Sequence, residues 1–176
     1  AAALLFAAAI LSVVSGCGDP FIQGGAMHFD AQRYDKAAQV FEQAIAKNPN
    51  DGEAHLWLAR CYSELHRIPE AVLEFDRAVA LNHSLESDAA AFRRRYWRQQ
   101  YLRGESYLRE ALAMPAKSQQ RTERMDQASG ALAQALLLSS EAGLTYYQLY
   151  RLRDAQNEPA EAQKNLELAL ARAEGD

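Results

Sequence analysis

Between residues 34 and 81 the apolar and small side chains keep a helical rhythm. Ala37, Val40, Phe41, Ala44 and Ile45 share one face at three- and four-residue spacing. Leu56, Leu58, Ala59, Tyr62 and Leu65 resume that spacing further along. Between the two runs, Asn48-Pro49-Asn50-Asp51-Gly52 gathers helix-ending and turn residues. Arg67-Ile68-Pro69-Glu70 reads as a short turn with Pro near the first position of the next helix, and Asn157-Glu158-Pro159-Ala160 repeats that device. No run alternates apolar and polar residues with β-branched enrichment, so the pattern predicts an all-α chain.

The rhythm also repeats at long range. Ala37, Phe41 and Ala44 recur as Ala71, Phe75 and Ala78, each 34 positions on; Ala128, Leu132 and Ala135 recur in the same way as Ala162, Leu166 and Ala169. A fixed step of this length, with two small residues flanking a large one, is what stacked helix pairs require. The small residues permit close helix crossings, and the large one fills the gap between pairs. From Ala71 to Ala128 the distance is 57 positions, 23 more than one step, so the third unit carries an insertion. Most of it is expected to lengthen that unit's first helix, from about Asp88 to Met114, stopped by Pro115. Gly104 could bend this helix or split off a short extra one. Ala116–Arg121 reads as a polar loop.

The residues around the repeated trio resemble the tetratricopeptide repeat (TPR). Phe21, Gly25, Tyr34, Ala37, Phe41, Ala44 and Pro49 carry the resemblance in the unit 18–51. In 52–85 it rests on Leu58, Ala59, Tyr62, Ala71, Phe75 and Ala78, and in 143–176 on Tyr146, Leu149, Tyr150, Ala162, Leu166 and Ala169. The remaining unit, 86–142, holds the insertion. His83, Ser140 and Glu174 stand where the repeat-closing Pro is usual, and Gly24 where Leu is usual. The resemblance implies a right-handed α-solenoid of about four helix hairpins, the third with an elongated first helix. It also implies a concave groove lined by each pair's first helix. Carried over residue by residue, that lining is Ile22, Ala26 and Phe29, then Leu56, Arg60 and Ser63, then Ala90, Arg94 and Trp97, then Tyr147 and Arg151. The Asn-plus-Lys arrangement of the TPR subgroup that clamps chaperone C-termini is missing, so that activity is not implied.

Charge sharpens the third unit. Arg93, Arg94, Arg95 and Arg98 crowd the start of the long helix, with Arg103 and Arg109 beyond and Tyr96, Trp97 and Tyr101 interleaved. Arg94, Trp97, Arg98 and Tyr101 share one face. They could grip an acidic or aromatic segment of a partner, since such residues concentrate at interaction hot spots. Alternatively the aromatics pack inward while the arginines are solvated or paired with Glu, or the cluster meets anionic lipid headgroups.

The first seventeen residues obey different physics. Ala1–Val14 contains one hydrophilic residue, Ser12, and leads into Val14-Ser15-Gly16-Cys17. That tetrad resembles a lipobox, the cleavage site of bacterial lipoprotein precursors, which implies a signal peptide over 1–17 and a covalent diacylglycerol on Cys17. The apolar stretch is shorter than the roughly 20 residues of a membrane span; an uncleaved signal-anchor helix with an incidental Cys is the alternative. The initiator Met and the usual basic start are absent, so further residues are expected before Ala1. Gly18 rather than Asp follows the Cys, which favours the outer over the inner membrane. Two or three acyl chains would hold the mature chain firmly, because a single chain binds only marginally.

Composition excludes more than it assigns. A net charge of −4 argues against a nucleic-acid partner. Two cysteines provide no disulfide framework, and Cys61 is expected to be a buried small hydrophobe. His28, His55, His66 and His83 lack metal-site spacing, no nucleophile elbow or phosphate loop is present, and Glu70 with Glu74 reads as a solvated pair. No cofactor and no enzyme activity are expected. The expected function is a lipid-anchored adaptor of the bacterial envelope, facing the periplasm and docking a protein partner in its groove. The resemblance extends to TPR lipoproteins that serve as pilotins for secretin pores or as scaffolds for envelope assembly. A permanent subunit of one large membrane complex is the alternative.

Overall fold

The computed structural model describes residues 19–173. The leader expected over 1–17 and the expected lipidation site Cys17 lie outside the described residues, as do Gly18 and the last three positions. What is described is a ladder of four helix pairs: α1 (Pro20–Asp30) with α2 (Tyr34–Lys47), α3 (Gly52–Glu64) with α4 (Ile68–Leu81), α5 (Glu86–Ala113) with α6 (Gln119–Leu138), and α7 (Gly143–Ala155) with α8 (Pro159–Ala173). A single 3₁₀ turn, His83–Leu85, leads into α5, and among the described residues there is no strand.

Local chemistry sets the helix ends. Asp19 caps α1 by accepting the Phe21 N–H at 2.7 Å, ahead of Pro20 in the first turn. Asp51 caps α3 through the Ala54 N–H at 3.0 Å. Within three of the pairs the turn has one geometry. Gln32, His66 and Asn157 take left-handed backbone angles (φ 56, 60 and 61°). The next residue's N–H returns to a carbonyl five positions back, Arg33 to His28, Arg67 to Tyr62 and Glu158 to Arg153, at 2.8–2.9 Å. This closure satisfies the last carbonyls of the first helix in three residues, short enough to fold the second helix straight back.

The third pair is where the insertion resides. α5 has 28 residues against 13 in α3, about 40 Å long at 1.5 Å per residue, and Pro115 follows its cap Met114. It is one continuous helix, which Gly104 does not split. A Cβ at Gly104 would lie 2.7 Å from Leu132 Cγ, so the missing side chain admits α6 at close range. α6 is lengthened as well, to 20 residues. The polar loop expected over 116–121 is therefore shorter than the sequence suggests. Ser118 accepts the Arg121 N–H at 3.2 Å and starts the helix at Gln119.

The recurrent trio is the core. Ala37, Phe41, Ala71, Phe75, Ala78, Ala128, Leu132 and Ala135 are fully enclosed; Ala44, Ala162 and Ala169 are nearly so, and Leu166 is half-buried. Gly52 and Gly143, which open α3 and α7, sit against the Ala78 and Ala169 carbonyls, where a Cβ would stand 3.1 and 3.2 Å away. Equivalent positions of two units thus make the same close approach. The buried side chains divide into two clusters. One runs from Ala37 through Phe75 to Tyr96 and Leu138; the other gathers Leu108, Met125, Leu132, Leu149 and Leu152. Gln100, wholly buried on α5 between Tyr96 and Leu108, has no partner for either polar atom of its amide.

Candidate partner-binding groove

The arginines of α5 fall into two groups. Arg93 reaches back to α4, donating to the Val72 carbonyl at 3.1 Å and to Asp76 Oδ1 at 2.5 Å. Arg95 lies 3.7 Å from Glu64 on α3, whose carboxylate also accepts the Tyr96 hydroxyl at 2.9 Å. Arg103 meets His66 at 3.2 Å. These three fasten the third pair onto the second. Arg94 and Arg98 point elsewhere. Both are exposed, and among the described residues neither has a hydrogen-bond or ion-pair partner.

Beside those two the aromatic face is rigidly held. Trp97 and Tyr101 stack with ring centres 5.5 Å apart. Trp97 Nε1 donates to Thr145 Oγ1 at 2.9 Å, and Gln148 Nε2 donates to the Tyr101 hydroxyl at 3.1 Å, both partners being buried on α7. Arg151 continues the chain by donating to Gln148 Oε1 at 3.0 Å. Fixed rings lose little freedom when a ligand arrives. Two adjoining hollows open on this face. One of about 420 Å³ lies between Arg94, Trp97, Leu138 and Leu144. The other, about 630 Å³, is bounded by Arg94, Trp97, Arg98, Tyr101, Leu102 and Leu144. Leu102 and Leu144 are 49% and 53% exposed, unusual for leucines lining one depression.

A second constellation stands on α3. The Arg60 guanidinium lies 3.8 Å from the Trp57 ring centre, 4.4 Å from Phe92 and 4.6 Å from Phe29, three rings from three helix pairs. Phe29 and Trp57 in turn meet edge-on at 5.6 Å. Cation–π attraction holds such an arginine without neutralising it. Its Nε is buried with no hydrogen-bond partner. Burial, only partly offset by Tyr96 and more distant groups, holds the guanidinium below its ordinary value.

Of the lining expected from the sequence, then, Arg94, Trp97, Arg98 and Tyr101 come together, and Phe29 joins Arg60. Leu56 and Ser63 do not line a groove. Leu56 is in the core at 6% exposure, and Ser63 is enclosed, its hydroxyl donating to the Ala59 carbonyl at 2.8 Å. Ile22 is half-buried against the first cluster, while Tyr147 is open to solvent beside Tyr150. Sequence reasoning missed Leu144, Leu102, Trp57 and Phe92. Leu144 left a trace, because the matching position of the second unit, one past its opening Gly, is the charged Glu53.

Other titratable groups are structural. His55 is buried, with Nδ1 2.5 Å from Glu74 Oε2 and Nε2 3.2 Å from the Pro49 carbonyl. Glu74, expected to be solvated, is thus engaged by a side chain from the preceding helix, and Glu70 pairs with Arg67 at 3.0 Å. Burial pushes the Cys61 thiol up to about 12, so it is an inert neutral group. Among the described residues no three His, Cys, Asp or Glu side chains gather as a metal site, and no helix is long and apolar enough to cross a membrane.

The helix pairs, their 34-residue step and the enclosed small-large-small trio agree with the comparisons. The tetratricopeptide repeat family model matches residues 28–96. Over those residues the chain carries tetratricopeptide repeats, a repeat that serves as a protein–protein interaction scaffold. Over 56 residues it is 34% identical to Hsp70-Hsp90 organizing protein 3 of Arabidopsis thaliana, covering 32% of this chain and 10% of that protein. Over 54 residues it is 32% identical to Hsp70-Hsp90 organizing protein 1 of Glycine max, covering 31% and 9% respectively. The chain therefore spans about a tenth of the length of the curated relatives it matches. Among solved structures, a thermophilic TPR protein of Thermus thermophilus aligns over 86% of this chain and 72% of its own, at 24% identity and a TM-score of 0.40.

Proposed function

We propose that this protein is a lipid-anchored adaptor of the bacterial envelope, tethered by acyl chains on Cys17 and binding a segment of a partner protein along the faces of α3, α5 and α7. One observation carries the binding half: Arg94, Arg98, Leu102 and Leu144 surround hollows beside two immobilised rings, a surface the chain leaves unsatisfied. The anchoring half rests on Val14-Ser15-Gly16-Cys17 behind an apolar leader. The first helix begins three residues after Cys17, so the repeats would stand close to the membrane surface, facing the periplasm and, with Gly18 after the Cys, on the outer membrane.

A photo-crosslinking residue at Leu144, in cells making the lipidated protein, tests the groove. Adducts are expected from Leu144 and none from Leu73, which is comparably exposed on α4. Adducts from Leu73 alone would remove the reading. Several substoichiometric partners indicate an adaptor; one stoichiometric partner makes the chain a permanent subunit. Cys17→Ala should move the protein to the soluble fraction, and persistent membrane association would replace the lipid tether with an uncleaved leader helix.

A further inference from the structure

An acidic protein that leaves arginines unpaired along one face has placed positive charge where nothing of its own answers it. Arg60, Arg94 and Arg98 all lack a carboxylate partner among the described residues. The carboxylates nearby are committed. Glu64 takes the Tyr96 hydroxyl and Arg95, and Glu141, at the rim of the smaller hollow, pairs with Arg172 at 3.3 Å. Asp30 adds only a long-range attraction to Arg60. Arg60 and Arg94 hold matching positions, 34 residues apart, on the first helices of adjoining pairs, and Arg94 and Arg98 border one hollow, which sets the three along one strip. Trp97, Tyr101 and Leu144 form its apolar floor.

We propose, building on the adaptor reading, that the occupant of this strip is an acidic segment of a partner protein. Its carboxylates meet Arg60, Arg94 and Arg98 while one aromatic or leucine side chain enters the hollow between Trp97 and Leu144. Charge complementarity decides the sign. A basic segment would face three unpaired cations, and a neutral one would leave the half-buried Arg60 without a counter-ion. Arg60 is the selective element, because its guanidinium is already desolvated and oriented by three rings. A carboxylate docking there forms a charge-assisted pair without ordering a free side chain.

A randomised display library of short linear peptides, selected on the purified full chain, tests this. Selected sequences should be rich in Asp and Glu around a Phe, Tyr, Trp or Leu, and their affinity should fall as salt rises. Arg60→Met, which keeps the stack but not the charge, should weaken them about tenfold, as should Arg94→Gln with Arg98→Gln. Neither change should lower the melting temperature. Neutral or basic peptides crosslinking at Leu144 would overturn the acidic assignment and leave the adaptor reading standing. Acidic peptides that bind the variants unchanged would overturn it too. Arginine-dependent capture of phosphatidylglycerol vesicles with no peptide selected would assign the strip to lipid instead. No peptide at the groove and no adduct in cells would remove both readings.

Discussion

Adding one methyl group at Gly104 tests how closely α5 and α6 are joined. The new Cβ would lie 2.7 and 2.8 Å from Leu132 Cγ and Cδ2, and 3.4 Å from the Ala128 carbonyl. Leu132 is fully enclosed in the second cluster, so it has no free space into which to turn. Overpacking of this kind costs about 1–3 kcal/mol. Replacing a mid-helix Gly by Ala returns roughly 1 kcal/mol of helix propensity, which offsets part of that. The net loss for Gly104→Ala is then up to about 2 kcal/mol. Gly130, on α6, has open space around its missing side chain, so Gly130→Ala keeps the propensity gain alone, about 1 kcal/mol. The same chemical change in two partner helices should thus differ by about 1–3 kcal/mol in urea unfolding followed by circular dichroism. The sign must also invert in context. Leu132→Ala alone costs about 2–5 kcal/mol, and adding Gly104→Ala to it should restore stability. If Gly104→Ala matched or exceeded Gly130→Ala in an otherwise unchanged chain, the close-approach explanation would be wrong.

Gln100→Met should stabilise the fold by about 1–3 kcal/mol, because a buried amide with no partner is exchanged for an apolar chain of similar length; a lower urea midpoint would show that the amide is satisfied after all. Alkaline pH should weaken the protein in a defined window. Burial raises Cys61 to about 12, and burial with the Glu42 hydrogen bond raises Tyr62 to about 12. Both groups hold their protons more tightly when folded, so their contribution is complete below the ordinary thiol and phenol range and is lost as pH climbs toward 12. Tyr62→Phe should flatten the upper part of that decline, and an unchanged pH profile would contradict it. Cys61 should resist thiol reagents in the native chain at neutral pH and react only after unfolding; prompt labelling would show an open site.

What the sequence reveals and what it hides have a common cause. The trio at Ala37, Phe41 and Ala44 is legible because repeated packing demands repeated residue sizes, and period alone carries that information. The long α5 is legible because no helix stop intervenes before Pro115. Gly104 is ambiguous, since a sequence shows a missing side chain but not the Leu132 that takes its place. The arginine crowd cannot be sorted from sequence, because the partners that claim Arg93 and Arg95 are Asp76 and Glu64, on helices of another pair. Glu74 misleads for the same reason: its partner, His55, belongs to the facing helix. The cage around Arg60 needs Phe29, Trp57 and Phe92 from three pairs, a conjunction visible only once the pairs are stacked.

The helix α5 enters both clusters, with Tyr96 in one and Leu108 in the other. Its hairpin partner α6 does the same with Leu138 and Leu132, so the two packs are joined through this one pair of beams. Amide protons of residues 96 to 108 should therefore be the last to exchange with deuterium, outlasting those at the ladder's outer ends. A partner gripping the strip would be holding the stiffest rung in the molecule.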